Sequence, residues 1–188
     1  EHGRCTLGRE TALAAMQWRE DDWLYGKEGK LPPVNLQLKG KAEARPAQHL
    51  FHDDFTGPVL NIHYQSLRRP VSEGWLNLNP KKGTLRIFGG AALDSLKAQS
   101  LIARRVQSFH IGAQTQVSFR PKLRRQRAGL LAYYNTQHWL YGYVGLHEKR
   151  QRAFCLEIND KGTILQPLDC LLVNENGPVE LTLTSHHD

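Results

Sequence analysis

The sequence predicts an all-β protein, an antiparallel β-sandwich. Alternation of apolar and polar residues with a period of two is common along the chain, whereas helical periodicity is scarce. Short apolar or aromatic runs are separated by turn-forming residues at intervals of roughly 8 to 12 residues, a spacing typical of sandwiches. Both observations favour many short strands over helices.

Individual strands follow from this pattern. Residues 110–119 and 179–184 alternate in the manner of half-buried strands. Residues 128–134 and 138–147 are rich in aromatic and aliphatic side chains, and the short polar connection 135–137 predicts a hairpin between them. We expect further strands at 84–88, 101–106 and 154–158, the last ended by the turn 159–162, and at most a short helix around 91–98.

Composition narrows the class of protein. With 40% hydrophobic and 23% charged residues among 188, a folded globular chain is expected, with no apolar run long enough to span a membrane. The net charge is +7, and the densest basic stretch is 121–127. We interpret this stretch as a solvated loop between strands, because no nucleic-acid-binding signature accompanies it. No nucleic acid and no membrane is therefore expected as a partner, and a basic domain for acidic polymers stays open as a hypothesis.

The three cysteines, Cys5, Cys155 and Cys170, are widely spaced and form no CxxC pair. They predict neither a disulfide framework nor a metal site, so unpaired thiols are expected. The odd number favours a reducing compartment, hence a cytoplasmic bacterial location over secretion. The chain begins at Glu1 and has its one methionine at Met16, so we expect residues upstream of this start.

Composition also marks a boundary. The stretch 27–47 is rich in glycine, proline and basic residues, as in a linker. It separates a unit at 1–26, too small to fold alone, from a main body at 48–188.

Several ordered motifs carry a family resemblance. The N-terminal unit contains Leu7-Gly8-Arg9-Glu10-Thr11-Ala12, then Trp18, then Asp21-Asp22-Trp23. The body continues with Asp53-Asp54-Phe55, Leu67-Arg68-Arg69-Pro70, Gly83-Thr84-Leu85-Arg86-Ile87-Phe88-Gly89, Ser100-Leu101-Ile102-Ala103-Arg104-Arg105, Val117-Ser118-Phe119-Arg120-Pro121, Ala128-Gly129-Leu130 and Tyr133-Tyr134-Asn135. In this order, the motifs resemble the C-terminal part of glycoside hydrolase family 43 β-xylosidases. The resemblance implies the end of a five-bladed propeller at 1–26 and an incomplete, jelly-roll-type concanavalin A-like sandwich at 48–188.

That resemblance also sets expectations for chemistry. In the family, an acid, a base and a pKa-tuning carboxylate come from the propeller upstream, so no catalytic residue is assigned in this chain. The arginine of the first motif contacts the terminal sugar in the family, which implies a substrate-binding role for Arg9, with Glu10 orienting it. No metal ligand and no cofactor is assigned here; the resemblance implies that a calcium ion, where the family holds one, is bound by propeller residues upstream. Asp53-Asp54 and Asp21-Asp22 are interpreted as turn residues.

The sequence leaves two functional roles open. The first is a non-catalytic portion of a xylosidase or arabinofuranosidase that supports the propeller and its sugar pocket. The alternative is a free-standing, lectin-like carbohydrate-binding module. An incomplete sandwich exposes strand edges, so we expect self-association or docking to a propeller. The aromatic residues able to stack on sugars are assigned mostly to the core, with Trp75 the least settled: Trp75, Tyr133, Tyr134, Trp139, Tyr141 and Tyr143.

Overall fold

The chain forms two compact units, which a computed structural model describes over residues 12–37, 40, 50–71, 74–108, 110–147 and 150–185. Contacts group the chain into Glu1–His52 and Asp53–Asp188. The described residues contain strands, turns and one 3-10 turn at Pro80–Lys82, and no α-helix lies among them. The predicted all-β class is confirmed.

The first unit contains one antiparallel hairpin of β1 (Met16–Trp18) and β2 (Leu24–Gly26). Asp21 closes its turn: one carboxylate oxygen accepts the backbone N–H of Trp23 at 3.2 Å and the other accepts the Tyr25 hydroxyl at 2.7 Å. The hydrogen bond from Tyr25 lowers the pKa of Asp21 below its ordinary value. The interpretation of this acidic pair as a turn is confirmed.

Among its described residues, the second unit holds eleven strands: β3 (Gln65–Ser66), β4 (Leu76–Asn79), β5 (Thr84–Ile87), β6 (Ile102–Ala103), β7 (Ile111–Val117), β8 (Ala128–Asn135), β9 (His138–Leu146), β10 (Arg152–Asp160), β11 (Thr163–Leu165), β12 (Leu171–Leu172) and β13 (Val179–Ser185). Five of them form one larger sheet in the order β11-β10-β9-β8, with β12 also paired with β10. The others form the pairs β13 with β7, β3 with β6, and β4 with β5, and β7 and β13 both contact β8.

The centre of the larger sheet is the ladder between β9 and β10. It runs for nine residue pairs, from Arg152 opposite Leu146 to Asp160 opposite His138. Because side chains alternate between faces, Trp139, Tyr141 and Tyr143 share one face with their β10 partners. This face is the more deeply buried one, and Val144 on the opposite face is also completely buried. The core of the unit therefore lies against β9 and β10.

Two predicted elements differ from the structure. The expected strand at 101–106 is reduced to Ile102–Ala103. The short helix expected around 91–98 is absent; that segment forms turns instead. The Ser95 hydroxyl donates to the Lys97 carbonyl at 2.9 Å, and Ala98 has a φ of 65°. Local side-chain hydrogen bonds and left-handed backbone compete with helix formation.

The prediction of unpaired thiols is wrong for two of the three cysteines. Cys155 of β10 and Cys170, just before β12, form a disulfide, with their Cα atoms 4.4 Å apart. The register explains the pairing: Phe154 lies opposite Leu171, so the next position of β10 faces Cys170. Because two thiols are joined, the cysteine count no longer supports a reducing compartment. Cys5 lies outside the described residues.

Within the described ranges, the structure has no helix of the length and apolarity needed to cross a membrane.

The close approach of β8 to β9 at Gly129 gives a test of the register. A Cβ atom at this position would meet the Gly142 carbonyl oxygen and lie 2.6 Å from the Tyr143 Cα, both of which are backbone atoms. Gly129→Ala should therefore lower the free energy of unfolding by about 2–3 kcal/mol, as overpacking does. Gly112→Ala on β7 is the matched control, since no atom lies within 4 Å of its added Cβ. Urea unfolding of both variants measures the difference, and equal stabilities would contradict this pairing of β8 and β9.

The disulfide between Cys155 and Cys170 leads to a second prediction, on stability. A bridge across a separation of 15 residues should stabilise the chain by about 3 kcal/mol, so the double variant Cys155→Ser/Cys170→Ser should lose roughly that amount. Peptide mapping after alkylation without reductant locates the bridge directly. Recovery of both cysteines in alkylated form from the unreduced, unfolded chain would show that the bridge does not exist.

Candidate functional site

The two residues predicted to contact substrate, Arg9 and Glu10, lie outside the described residues. Their assignment remains a prediction from the family motif. The described residues closest to them in sequence lead into the hairpin of β1 and β2. There Trp18 and Trp23 are each 72% exposed. The part of the first unit that is described thus presents large apolar side chains to solvent.

Trp75 is the aromatic residue whose burial the sequence predicted least clearly, and the structure shows that it is a core residue. It is 2% exposed, and its indole N–H donates to the Pro70 carbonyl at 2.8 Å. The guanidinium carbon of Arg69 lies 5.2 Å from the centre of its ring system. With the ring covered in this way, Trp75 offers no open face on which a sugar could stack.

The aromatic residues of β9 are buried as the sequence predicts. Trp139 and Tyr143 are each 6% exposed, and Tyr141 packs against Tyr143 with ring centres 5.1 Å apart. On β8, Tyr133 is partly buried, whereas Tyr134 is 50% exposed and meets the His138 ring edge-on at 6.3 Å. The core assignment is confirmed for most of this set, and Tyr134 is its most accessible member.

A polar cluster lies within the buried face of the larger sheet. Glu157 on β10 accepts a hydrogen bond from the Tyr143 hydroxyl at 2.9 Å and an ion-paired hydrogen bond from the Arg127 guanidinium at 2.6 Å. The same guanidinium stands 4.7 Å from the centre of the Tyr143 ring. A carboxylate, a phenol and a guanidinium thus satisfy one another at the start of β8 and across β9 and β10.

The electrostatics of this cluster favour a fixed charge pair. Burial first, and the hydrogen bond to Glu157 second, raise the pKa of Tyr143 to about 12. Burial likewise raises the pKa of Tyr141. The phenols therefore stay protonated, Tyr143 donates to Glu157, and Arg127 supplies the opposite charge. Both carboxylate oxygens of Glu157 are thus occupied by hydrogen bonds from neighbouring side chains.

Hydrolysis with inversion needs two carboxyl groups about 6.5–9.5 Å apart across a sugar site. Among the described residues, Glu157 is the only buried carboxylate. Asp53 and Asp54 serve as turn caps, as predicted, accepting the backbone N–H groups of Phe55 at 2.8 Å and Thr56 at 3.0 Å. Over the same part of the chain, no three His, Cys, Asp or Glu side chains come together in a way that could hold a metal ion.

The pairing of Arg127 with Glu157 was not predicted from the sequence. Alternation predicted a strand at 154–158, with Glu157 on the face opposite Phe154, Leu156 and Ile158. The structure buries the face that carries Glu157, so this acidic residue needs a partner there. The identity of that partner depends on the register between β8, β9 and β10, which brings together residues 30 positions apart.

Taken together, these features define a class: an all-β module in which Asp21, Asp53 and Asp54 close turns and Glu157 is bound within the core. Comparison with known proteins gives the family. Residues 52–188 match the family described as the β-xylosidase C-terminal concanavalin A-like domain. The chain therefore belongs to this family, and its fold is the concanavalin A-like sandwich.

Individual relatives agree with this membership. The β-xylosidase of Bacillus subtilis (strain 168) is 37% identical over 174 residues, which cover 92% of this chain and 32% of that protein. Xylosidase/arabinosidase 43B of Humicola insolens is 31% identical over 188 residues, covering 96% of this chain and 34% of that protein. The solved structure of xylan β-1,4-xylosidase from Bacillus halodurans C-125 is 32% identical with a TM-score of 0.79, covering 97% of this chain and 35% of that one. The chain thus spans about a third of the length of these relatives.

The raised pKa of Tyr143 predicts an alkaline effect on stability. A group whose pKa is higher in the folded state than its ordinary 10.0 stabilises the fold fully below pH 10, and this contribution is lost as the pH rises through about 12. Tyr143→Phe should therefore make the loss of stability between pH 10 and 12 shallower, as measured by urea unfolding at each pH. Phe88→Leu, which removes no ionisable group, should leave the slope unchanged. An unaltered slope in Tyr143→Phe would refute the assigned cause.

Proposed function

We propose that this chain is a non-catalytic accessory part of a β-xylosidase acting on xylo-oligosaccharides, and that it supports the propeller domain and its sugar pocket. The observation that carries the proposal is the hydrogen bonding of the Glu157 side chain. The only buried carboxylate of the described residues has both oxygens engaged by Tyr143 and Arg127, so neither oxygen is open to a substrate. Family membership over 52–188 supports the same role.

The substrate class rests on the relatives. Those named above are a β-xylosidase, a xylosidase/arabinosidase and a xylan β-1,4-xylosidase. Xylosides and arabinosides present similar hydroxyl patterns to a fork of donors such as a guanidinium. Arg9, with Glu10 orienting it, is our candidate for contacting the terminal sugar in the assembled enzyme.

The exposed hairpin of the first unit supports docking to a catalytic domain. A two-stranded hairpin is at best marginally stable alone in water. Trp18 and Trp23 nevertheless stand largely exposed, and Leu24 is 46% exposed. Covering these side chains with the rest of a propeller would supply the apolar burial that the hairpin lacks. Association of two chains through the same side chains is the competing arrangement.

A chimera tests the accessory role. This chain replaces the matching third of the Bacillus subtilis relative, and p-nitrophenyl-xyloside hydrolysis is measured for the chimera and for the 188-residue chain alone. We expect hydrolysis by the chimera and none by the chain. Hydrolysis by the chain alone would overturn the non-catalytic assignment, and a folded but inactive chimera would overturn the supporting role.

The same chimera tests Arg9. Arg9→Ala should lower kcat/KM by about 10–100-fold, because lost hydrogen bonds to a bound sugar leave buried polar groups unpaired. Arg19→Ala is the matched control, since this exposed arginine stacks on the Tyr25 ring at 4.3 Å within the hairpin. An equal loss in both variants would indicate a general effect on folding in place of sugar contact.

A further inference from the structure

One end of the larger sheet concentrates positive charge. The segments 120–127 and 147–152 contain five and three lysine or arginine residues, respectively, and their one acidic residue is Glu148. The topology brings them together: Ala128 at the start of β8 pairs with Val144 near the end of β9, and Leu146 pairs with Arg152 at the start of β10. Where the structure describes them, residues of both segments lie at this one end of the sheet, and Arg127 among them is ion-paired with Glu157. This end is called the basic end.

The first of these segments is an ordered turn. The side-chain carbonyl of Gln126 accepts the backbone N–H groups of Lys122 at 2.7 Å and Leu123 at 3.1 Å, and the Gln126 N–H donates to the Leu123 carbonyl at 3.0 Å. Lys122 and Arg125 are exposed, and neither has an ion-pair partner within the described ranges. Their charges are therefore held on a fixed backbone and remain available to a ligand.

A buried arginine adds an uncompensated charge beneath this end. Arg152 is 3% exposed; its Nε donates to the Phe119 carbonyl at 2.9 Å and one terminal nitrogen donates to the Asn174 carbonyl. Its other terminal nitrogen is buried without a hydrogen-bond partner. No described carboxylate neutralises this guanidinium, although the exposed Glu175 is next in sequence to Asn174. A buried charge without a counter-charge favours an anion nearby.

The chemistry of the surface indicates which anion it fits. The two segments contain no Phe, Tyr or Trp, the side chains that most often serve as stacking platforms for single-stranded nucleic acids. The described residues have no α-helix that could enter a DNA groove. Arginine forks match the geometry of carboxylates and phosphates alike, and a carboxylate is the charged group of a uronic acid. We propose that the basic end binds a carboxylate-bearing oligosaccharide, such as a xylo-oligosaccharide that carries uronic acid; the choice of a saccharide rests on the proposed function.

Isothermal titration calorimetry on the 188-residue chain tests whether the basic end binds an acidic oligosaccharide. The probes are xylotriose carrying one glucuronic acid and neutral xylotetraose, each at about 20 and 300 mM NaCl. We expect binding of the acidic sugar at low salt, at least fivefold weakening at high salt, and no heat from the neutral sugar, because exposed charges are screened by salt. Lys122→Gln/Arg125→Gln should weaken acidic-sugar binding at least fivefold. Lys81→Gln/Lys82→Gln, which removes two exposed charges from the 3-10 turn, should leave it unchanged.

Several outcomes overturn the proposal: no binding of the acidic sugar, equal binding of the neutral one, or equal weakening by both double variants. A single-stranded DNA 12-mer that binds at least tenfold more tightly, and is weakened by Lys122→Gln/Arg125→Gln, would identify a nucleic-acid surface instead. Failure here is separable from failure of the accessory role. An active chimera with no acidic-sugar binding would overturn this proposal alone, whereas an inactive chimera with intact binding would overturn the accessory role alone.

Discussion

The ladder between β9 and β10 is the constraint on which the described sandwich depends. Its nine pairs fix which side chains face the core, because a slip of one residue would move every aromatic residue of β9 to the other face. The same register sets Tyr143 within reach of Glu157. Core packing and the hydrogen bond between Tyr143 and Glu157 follow from this alignment, whereas the disulfide depends on the separate pairing of β10 with β12.

The buried cluster shows how a charged group can belong to a core. Glu157 is tolerated because a phenol and a guanidinium both donate to it, and Arg127 keeps part of its side chain at the surface, with 39% of it exposed. Replacement of such a group by a well-packed apolar residue is often neutral for stability, so its advantage can lie in specificity of pairing. An ion pair between the start of β8 and the middle of β10 favours the observed strand order. Arg152 differs, since carbonyl oxygens alone accept its hydrogen bonds.

The sequence predicted the parts of the fold that depend on local pattern. Alternation and the polar connection 135–137 were sufficient for the hairpin of β8 and β9, and the turn at 159–162 correctly marked the end of β10. Long-range pairings were not accessible in this way. The Cys155–Cys170 bridge requires the chain to return along the edge of β10, which no spacing rule specifies. The segment 91–98 has helix-forming composition, but hydrogen bonds of Ser95 stabilise turns there. For the predicted substrate contacts of Arg9 and Glu10, the family motif remains the basis.

The disulfide also has a consequence for the integrity of the chain. Residues 161–169 between the two cysteines are all exposed, the kind of segment in which proteases cut first. A single cut there would fall inside the covalent ring that Cys155 and Cys170 close. The two products would stay joined, and β13 would keep its pairing with β7. Under oxidising conditions a nicked chain would therefore remain one molecule, and its fragments would separate only after reduction and unfolding.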